Sequence, residues 1–138
     1  MSRKLEARTI SVEEIVAAVK NNPKELIAAE EARYHKEIAT VADTVHNSRG
    51  NRHIVLLSGP SSSGKTTTAG LLKHALKERG TVAHVVSLDD FYLGLGKAPL
   101  LPDGKPDYET LDALDVQRLL RCLEELVRDG KTDLPQFD

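Results

Sequence analysis

The chain has 138 residues, 40% of them hydrophobic and 29% charged, with a formal net charge of -2. That is one domain with room for a core, and its charge excludes a polybasic footprint for nucleic acid or anionic membrane. The single Cys122 excludes an internal disulfide framework. Residues 1–10 (with Arg3, Lys4, Glu6 and Arg8) lack a secretory apolar core and no run approaches a membrane span, so a cytoplasmic location is expected.

The first 50 residues read as a helical leader. Ser11-Val12-Glu13-Glu14 has the spacing of a capping box, and Ile15, Val16 and Val19 give a short helix that should stop near Asn21-Asn22. Pro23 suits the first position of a second helix, whose Ile27, Tyr34, Ile38, Val41 and Val45 recur at helical spacings as far as Asn47. Ser48-Arg49-Gly50-Asn51 reads as a linker. His35 and His46 have no carboxylate or cysteine constellation around them and read as solvated or capping histidines.

From residue 51 onward the pattern changes. His53-Ile54-Val55-Leu56-Leu57-Ser58 is a short apolar run of the kind a buried parallel strand shows. It enters Gly59-Pro60-Ser61-Ser62-Ser63-Gly64-Lys65-Thr66, which matches GxxxxGK[ST], the phosphate-binding loop, and a helical pattern follows. A turn of this kind gathers backbone N–H groups into a concavity that the first turn of the helix completes with its free donors. Gly59 and Gly64 allow close approach or left-handed backbone, Lys65 brings a mobile positive charge, and Thr66 offers a hydroxyl to Mg²⁺. The expected contacts of an ATP molecule are Gly59, Ser61, Ser62, Ser63, Gly64, Lys65, Thr66 and Thr67. A plain surface turn would also be rich in Gly and Ser, but strand, loop, Lys-Thr pair and helix agree here.

The helix after the loop should end at Gly80, and residues 82–88 read as a second strand. Strand, loop, helix, strand predicts an α/β fold: a parallel sheet of the P-loop NTPase type with flanking helices, incomplete here and preceded by the helical leader. Residues 91–111, with three glycines and three prolines among them, read as one long irregular segment. A final helix is expected from about Asp112 or Asp115 to Asp129, with Cys122 as a buried, inert thiol on its apolar stripe.

Asp89 and Asp90 follow the second strand, at the sheet end where ligands bind. Phosphoryl transfer to a hydroxyl needs an acceptor for the alcohol proton and a scaffold for the metal, and Asp89 is expected to serve as catalytic base and Mg²⁺ ligand beside Lys65. Adjacent aspartates also cap turns, which is the plainer reading of the pair.

Taken together, GPSSSGKTT, SLDDFY, DYETLDALD at 107–115 and LPQFD at 134–138, in that order, resemble the uridine kinase and phosphoribulokinase group of P-loop kinases. The bacterial uridine kinase-like proteins with a helical leader are the nearest likeness. The resemblance covers residues 52–138 and implies a leader (1–50) followed by the N-terminal portion of a kinase domain (51–138). It implies ATP-dependent transfer to the 5′-hydroxyl of uridine or cytidine, with ATP and Mg²⁺ as cofactors and a small-molecule nucleoside as partner. It places Asp89 at the catalytic aspartate, and Tyr92, Tyr108, Glu109 and Phe137 around the nucleoside, with Glu109 where Asp is commoner. Further strands, a basic lid and an adenine-contacting segment of that group have no counterpart here. The chain therefore reads as the front of a kinase, weak or inactive as it stands, or completed by strands from a partner chain; a homo-oligomer is left open. Two alternatives remain: a glycerate-kinase-like enzyme, and a regulatory module that binds nucleotide without transfer.

Overall fold

The computed structural model describes residue 9 and residues 11–48, 54–94 and 96–136. Its first helix, α1 (Val12–Asn21), is capped by Ser11, whose hydroxyl accepts from the Glu14 amide. The expected reciprocal bond from Glu14 is replaced by one from Ser11 Oγ to Glu13 Oε2. Helix α2 (Pro23–Asn47) starts where the Asn22-Pro23 signal places it, with Asn22 Oδ1 accepting from the Glu25 amide. Ile38 and Ala42 are buried on α2, one turn apart on the face that meets the next helix. The linker residues 49–51 lie outside the described residues.

Helix α3 (Lys65–Glu78) begins at Gly64, whose φ of 83° is left-handed. Its other end closes at Gly80, φ 75°, where the Gly80 amide donates to Lys77 O and the Thr81 amide to Leu76 O. This pairing satisfies two carbonyls that the helix end would otherwise leave open, and it needs a glycine at the left-handed position. Helices α2 and α3 pack together, and three side-chain ties join α2 to α3 and to the turn that follows it. Tyr34 meets Thr68, Asp43 meets Arg79, and His46 meets Thr81. The ties come in the same order on both segments, so the two helices run in the same direction.

The parallel sheet expected from the sequence is not present: among the described residues there is no strand, only two isolated antiparallel bridges, Tyr92–Leu114 and Leu100–Pro106. Residues 54–60 and 81–87 carry no regular secondary structure and make no ladder. Most of their apolar side chains face solvent, with Leu56 at 88% and Val82 at 83% exposure. The physical reason lies in what a parallel ladder requires. Its strands need paired neighbours and cover on both faces, and two short runs supply neither. The helices need only local hydrogen bonds and one packing face, and they form.

Beyond the second run, residues 88–91 turn into a short 3-10 helix, Leu88–Phe91, where the sequence suggested a plain strand mouth. The segment read as one irregular loop has internal order. The Leu101 amide donates to Lys105 O and the Asp107 amide to Pro99 O, closing a hairpin-like turn through Gly104. A second 3-10 turn, Leu111–Ala113, leads into α4 (Val116–Asp129). Asp115 caps α4 by accepting from the Arg118 amide, and Gly130 at φ 74° ends it. Cys122 is buried as expected, its Sγ 3.7 Å from the carbonyl of Asp133, which brings the chain after α4 back along the helix. No helix among the described residues is long and apolar enough to cross a membrane.

Candidate functional site

The phosphate loop is folded upon itself. Lys65 Nζ donates to Gly59 O at 2.8 Å and to Pro60 O at 2.9 Å, so its ammonium spans the loop mouth. Inside the turn the Ser63 amide donates to Pro60 O, and Ser62 takes a positive φ of 61°. A Cβ built on Gly59 would stand 2.7 Å from Ser63 Oγ, closer than side chains pack, so glycine at this position lets the loop close. Gly64 has nothing near its missing Cβ; there the requirement is the left-handed φ alone. Ser61, Ser62 and Ser63 are exposed, as are Thr66 and Thr67 in the first turn of α3, while Lys65 is half-buried.

This geometry fits a polyphosphate. A tight turn with small side chains, a lysine that donates to two loop carbonyls, and the open first turn of a 14-residue helix are features that suit an anion. For a metal the protein alone offers less. The Thr66 hydroxyl is accessible, and among the described residues no group of three or more His, Cys, Asp or Glu could hold an ion. A magnesium ion at such a loop takes most of its oxygens from phosphate and water, so a single hydroxyl fits that role.

The second group of expected site residues is also gathered. The Tyr92 hydroxyl donates to the carbonyl of Tyr108 at 3.1 Å, and the two rings meet edge to face with centroids 5.1 Å apart. Burial pushes the Tyr92 phenol above the ordinary tyrosine range, and the negative charges of Asp89 and Glu109 push the same way. Those carboxylates therefore lie within electrostatic reach of the ring. Glu109 is set by a local turn in which its amide donates to Asp107 Oδ1.

Backbone bonds knit the two segments: the Leu93 amide donates to Ala113 O at 2.7 Å, and the Asp115 amide to Phe91 O at 2.8 Å. Phe91, 2% exposed, and Ala113, fully buried, anchor them. SLDDFY and DYETLDALD, some twenty residues apart in sequence, thus form one unit. Beside it a cleft of about 180 Å³ is lined by Asp90, Tyr92, Lys97, Asp115, Arg118 and Pro135 among others.

Phe137 lies outside the described residues. Among the described residues no hydrogen bond or ion pair joins Asp89 to Lys65. Sequence reasoning missed Tyr34 and Thr68, whose hydroxyls meet 2.6 Å apart beside the phosphate loop. Tyr34 counted only as a member of an apolar stripe, and nothing in a single sequence pairs it with a threonine 34 positions away.

No family model and no solved structure matches the chain. Several curated proteins do. The chain is 31% identical over 85 residues to the uridine kinase of Mycoplasma genitalium, covering 62% of this chain and 39% of that protein. It is 34% identical over 86 residues to the uridine kinase of Chloroflexus aurantiacus, covering 62% of this chain and 40% of that one. Uridine kinase-like protein 4 of Arabidopsis thaliana is 29% identical over 85 residues, 62% of this chain and 18% of the plant protein. The chain thus spans well under half the length of these relatives. The likeness that its motifs carry is matched by sequence similarity to uridine kinases and uridine kinase-like proteins over more than half of its residues.

Proposed function

We propose that this chain is the phosphate-binding and acceptor-binding front of an ATP-dependent nucleoside kinase that phosphorylates the 5′-hydroxyl of uridine or cytidine. The observation that carries the reading is the similarity to several proteins named as uridine kinases, which a phosphate loop alone would not select. The folded loop around Lys65 and the carboxylate-flanked tyrosine pair support it. In this reading residues 1–50 are a leader and residues 51–138 the kinase portion.

The roles follow from charge and reach. The amides of residues 59–67 hold the phosphates of ATP, and Lys65 leaves its loop carbonyls to meet the terminal ones. Thr66 and Asp89 would hold Mg²⁺, which supplies charge neutralisation at the phosphates. Tyr92, Tyr108, Glu109 and Phe137 surround the nucleoside, and Asp89 takes the proton of its hydroxyl as that oxygen bonds to the γ-phosphorus and ADP departs. Glu109, one methylene longer than Asp, tunes ribose contact.

The test is release of ADP from ATP and Mg²⁺ in the presence of uridine, cytidine, glycerate or no acceptor, alongside ATP binding by calorimetry. Release stimulated by the pyrimidine nucleosides is expected. Stimulation by glycerate alone would transfer the assignment to a glycerate-kinase-like enzyme, and ATP binding with no acceptor effect would favour a regulatory module.

A further inference from the structure

We infer that Tyr34, on the leader helix α2, is a positioning residue for the phosphate loop, acting through Thr68. The inference rests on the reading of that loop as a nucleotide site and adds a role for the leader.

Thr68 Oγ1 makes two short contacts: 3.0 Å to the carbonyl oxygen of Gly64 and 2.6 Å to the hydroxyl of Tyr34. A threonine hydroxyl has one proton. Given to Gly64 O, it leaves only the oxygen lone pairs for Tyr34, so the tyrosine must be the donor. A directed relay results, from the Tyr34 hydroxyl to the Thr68 hydroxyl to the Gly64 carbonyl. That carbonyl also accepts from the Thr68 amide at 2.9 Å. Gly64 is the left-handed residue on which the loop turns into α3, and no side chain caps that helix start. The relay therefore fixes the orientation of the peptide at which the loop amides begin. On the other side of the loop Lys65 ties Gly59 and Pro60. When Lys65 turns to a phosphate those ties are given up, and the Thr68–Tyr34 relay still holds the turn.

The other two ties between the helices serve as internal controls. Asp43 and Arg79 are joined at 2.7 Å, and His46 Nδ1 and Thr81 Oγ1 lie 2.8 Å apart, both at the far end of α3. Thr68 and Arg79 are separated by about 16 Å of helix at 1.5 Å per residue. These contacts join the leader to α3 without reaching the loop. If the leader matters only as packing, all three ties are equivalent; if Tyr34 positions the loop, one is different.

The experiment compares wild type, Tyr34→Phe, Thr68→Val, the double variant, Thr68→Ser, Asp43→Asn and Lys65→Ala. Each is measured by calorimetric titration with ATP and Mg²⁺, by thermal melting, and by amide hydrogen exchange at residues 62–65 without nucleotide. A neutral hydrogen bond lost in a relay predicts about threefold to tenfold weaker ATP binding for Tyr34→Phe and for Thr68→Val. The double variant should be no weaker than either single, because the relay is already broken. Thr68→Ser, which keeps the hydroxyl, should recover the affinity. Exchange at 62–65 should quicken in Tyr34→Phe with no nucleotide present, whereas Asp43→Asn should lower the melting temperature and leave affinity and loop exchange at wild-type values. Wild-type affinity and loop exchange in Tyr34→Phe would overturn the inference, as would an equal loss of affinity in Asp43→Asn. Failure of the reading beneath it looks different: wild type would then bind no ATP, or Lys65→Ala would bind as well as wild type.

Discussion

Helices α2 and α3 and the two runs at 54–60 and 81–87 are neighbours in sequence and end in opposite states, although the runs are the more apolar. The helices bury Ile38, Ala42 and Leu76, and α2 is tied side chain to side chain at three points to α3 and the turn after it. The runs leave Ile54, Leu56, Val82 and Val85 facing solvent and pair with nothing in a ladder. The difference teaches that apolar composition becomes structure only where its partner is at hand. A helix closes its hydrogen bonds within four residues, while a strand must find its bonds on another segment.

The largest expected effect sharpens that contrast directly. Leu76, 4% exposed, should cost about 2–5 kcal/mol when replaced by alanine, while Val82→Ala should stay within about 0.5 kcal/mol, both read from denaturant unfolding. Equal losses would mean that the second run is packed after all. Gly64→Ala comes next: with open space around it, the cost is the left-handed φ, about 1–2 kcal/mol, and should appear without any clash-driven change elsewhere in α3.

A smaller effect concerns Tyr92. Tyr92 should ionise above the ordinary tyrosine range in an ultraviolet pH titration, and Glu109→Gln should bring it partway down by removing one of the two negative charges. A raised acid pKa in the fold favours the protonated form, so this contribution is present below the ordinary tyrosine range and lost as pH rises through the folded value. Unaltered titration in Glu109→Gln would separate Glu109 from the tyrosine pair.

The smallest effect is at Asp43. The hydrogen bond from Arg79 holds its carboxyl below the usual aspartate range, against an opposing push from burial. A lowered folded pKa means that the stabilisation is present above the ordinary carboxylate range and fades as pH falls through the lowered value. The Asp43 side chain is largely in water while Arg79 is mostly covered, so the wild-type melting temperature should exceed that of Asp43→Asn only slightly at neutral pH, with the gap closing in acid.

The helical part was legible because its signals are local. The Ser11 and Asn22-Pro23 starts and the stops at Gly80 and Gly130 all act within a few residues and stand where the sequence places them, and of the two starts it offered for the last helix, Asp112 and Asp115, the second is the cap. The phosphate loop was legible for the same reason. The sheet was misread because alternation and apolar runs state a preference for extended backbone and are silent on what will pair with it. The meeting of Tyr92 with Tyr108 was expected only through a family likeness, since it depends on the bridge between Tyr92 and Leu114. The Tyr34–Thr68 contact had no signal at all: both residues suit a helix, and their pairing depends on how α2 lies along α3.

The central claim is that Asp89 draws the proton from a nucleoside hydroxyl while the loop at 59–66 holds ATP, and transfer of labelled γ-phosphate to uridine by wild type and by Asp89→Asn tests it most directly. Loss of the base should slow transfer by roughly 10²–10⁴-fold while ATP still binds. Transfer by Asp89→Asn at the wild-type rate would contradict it.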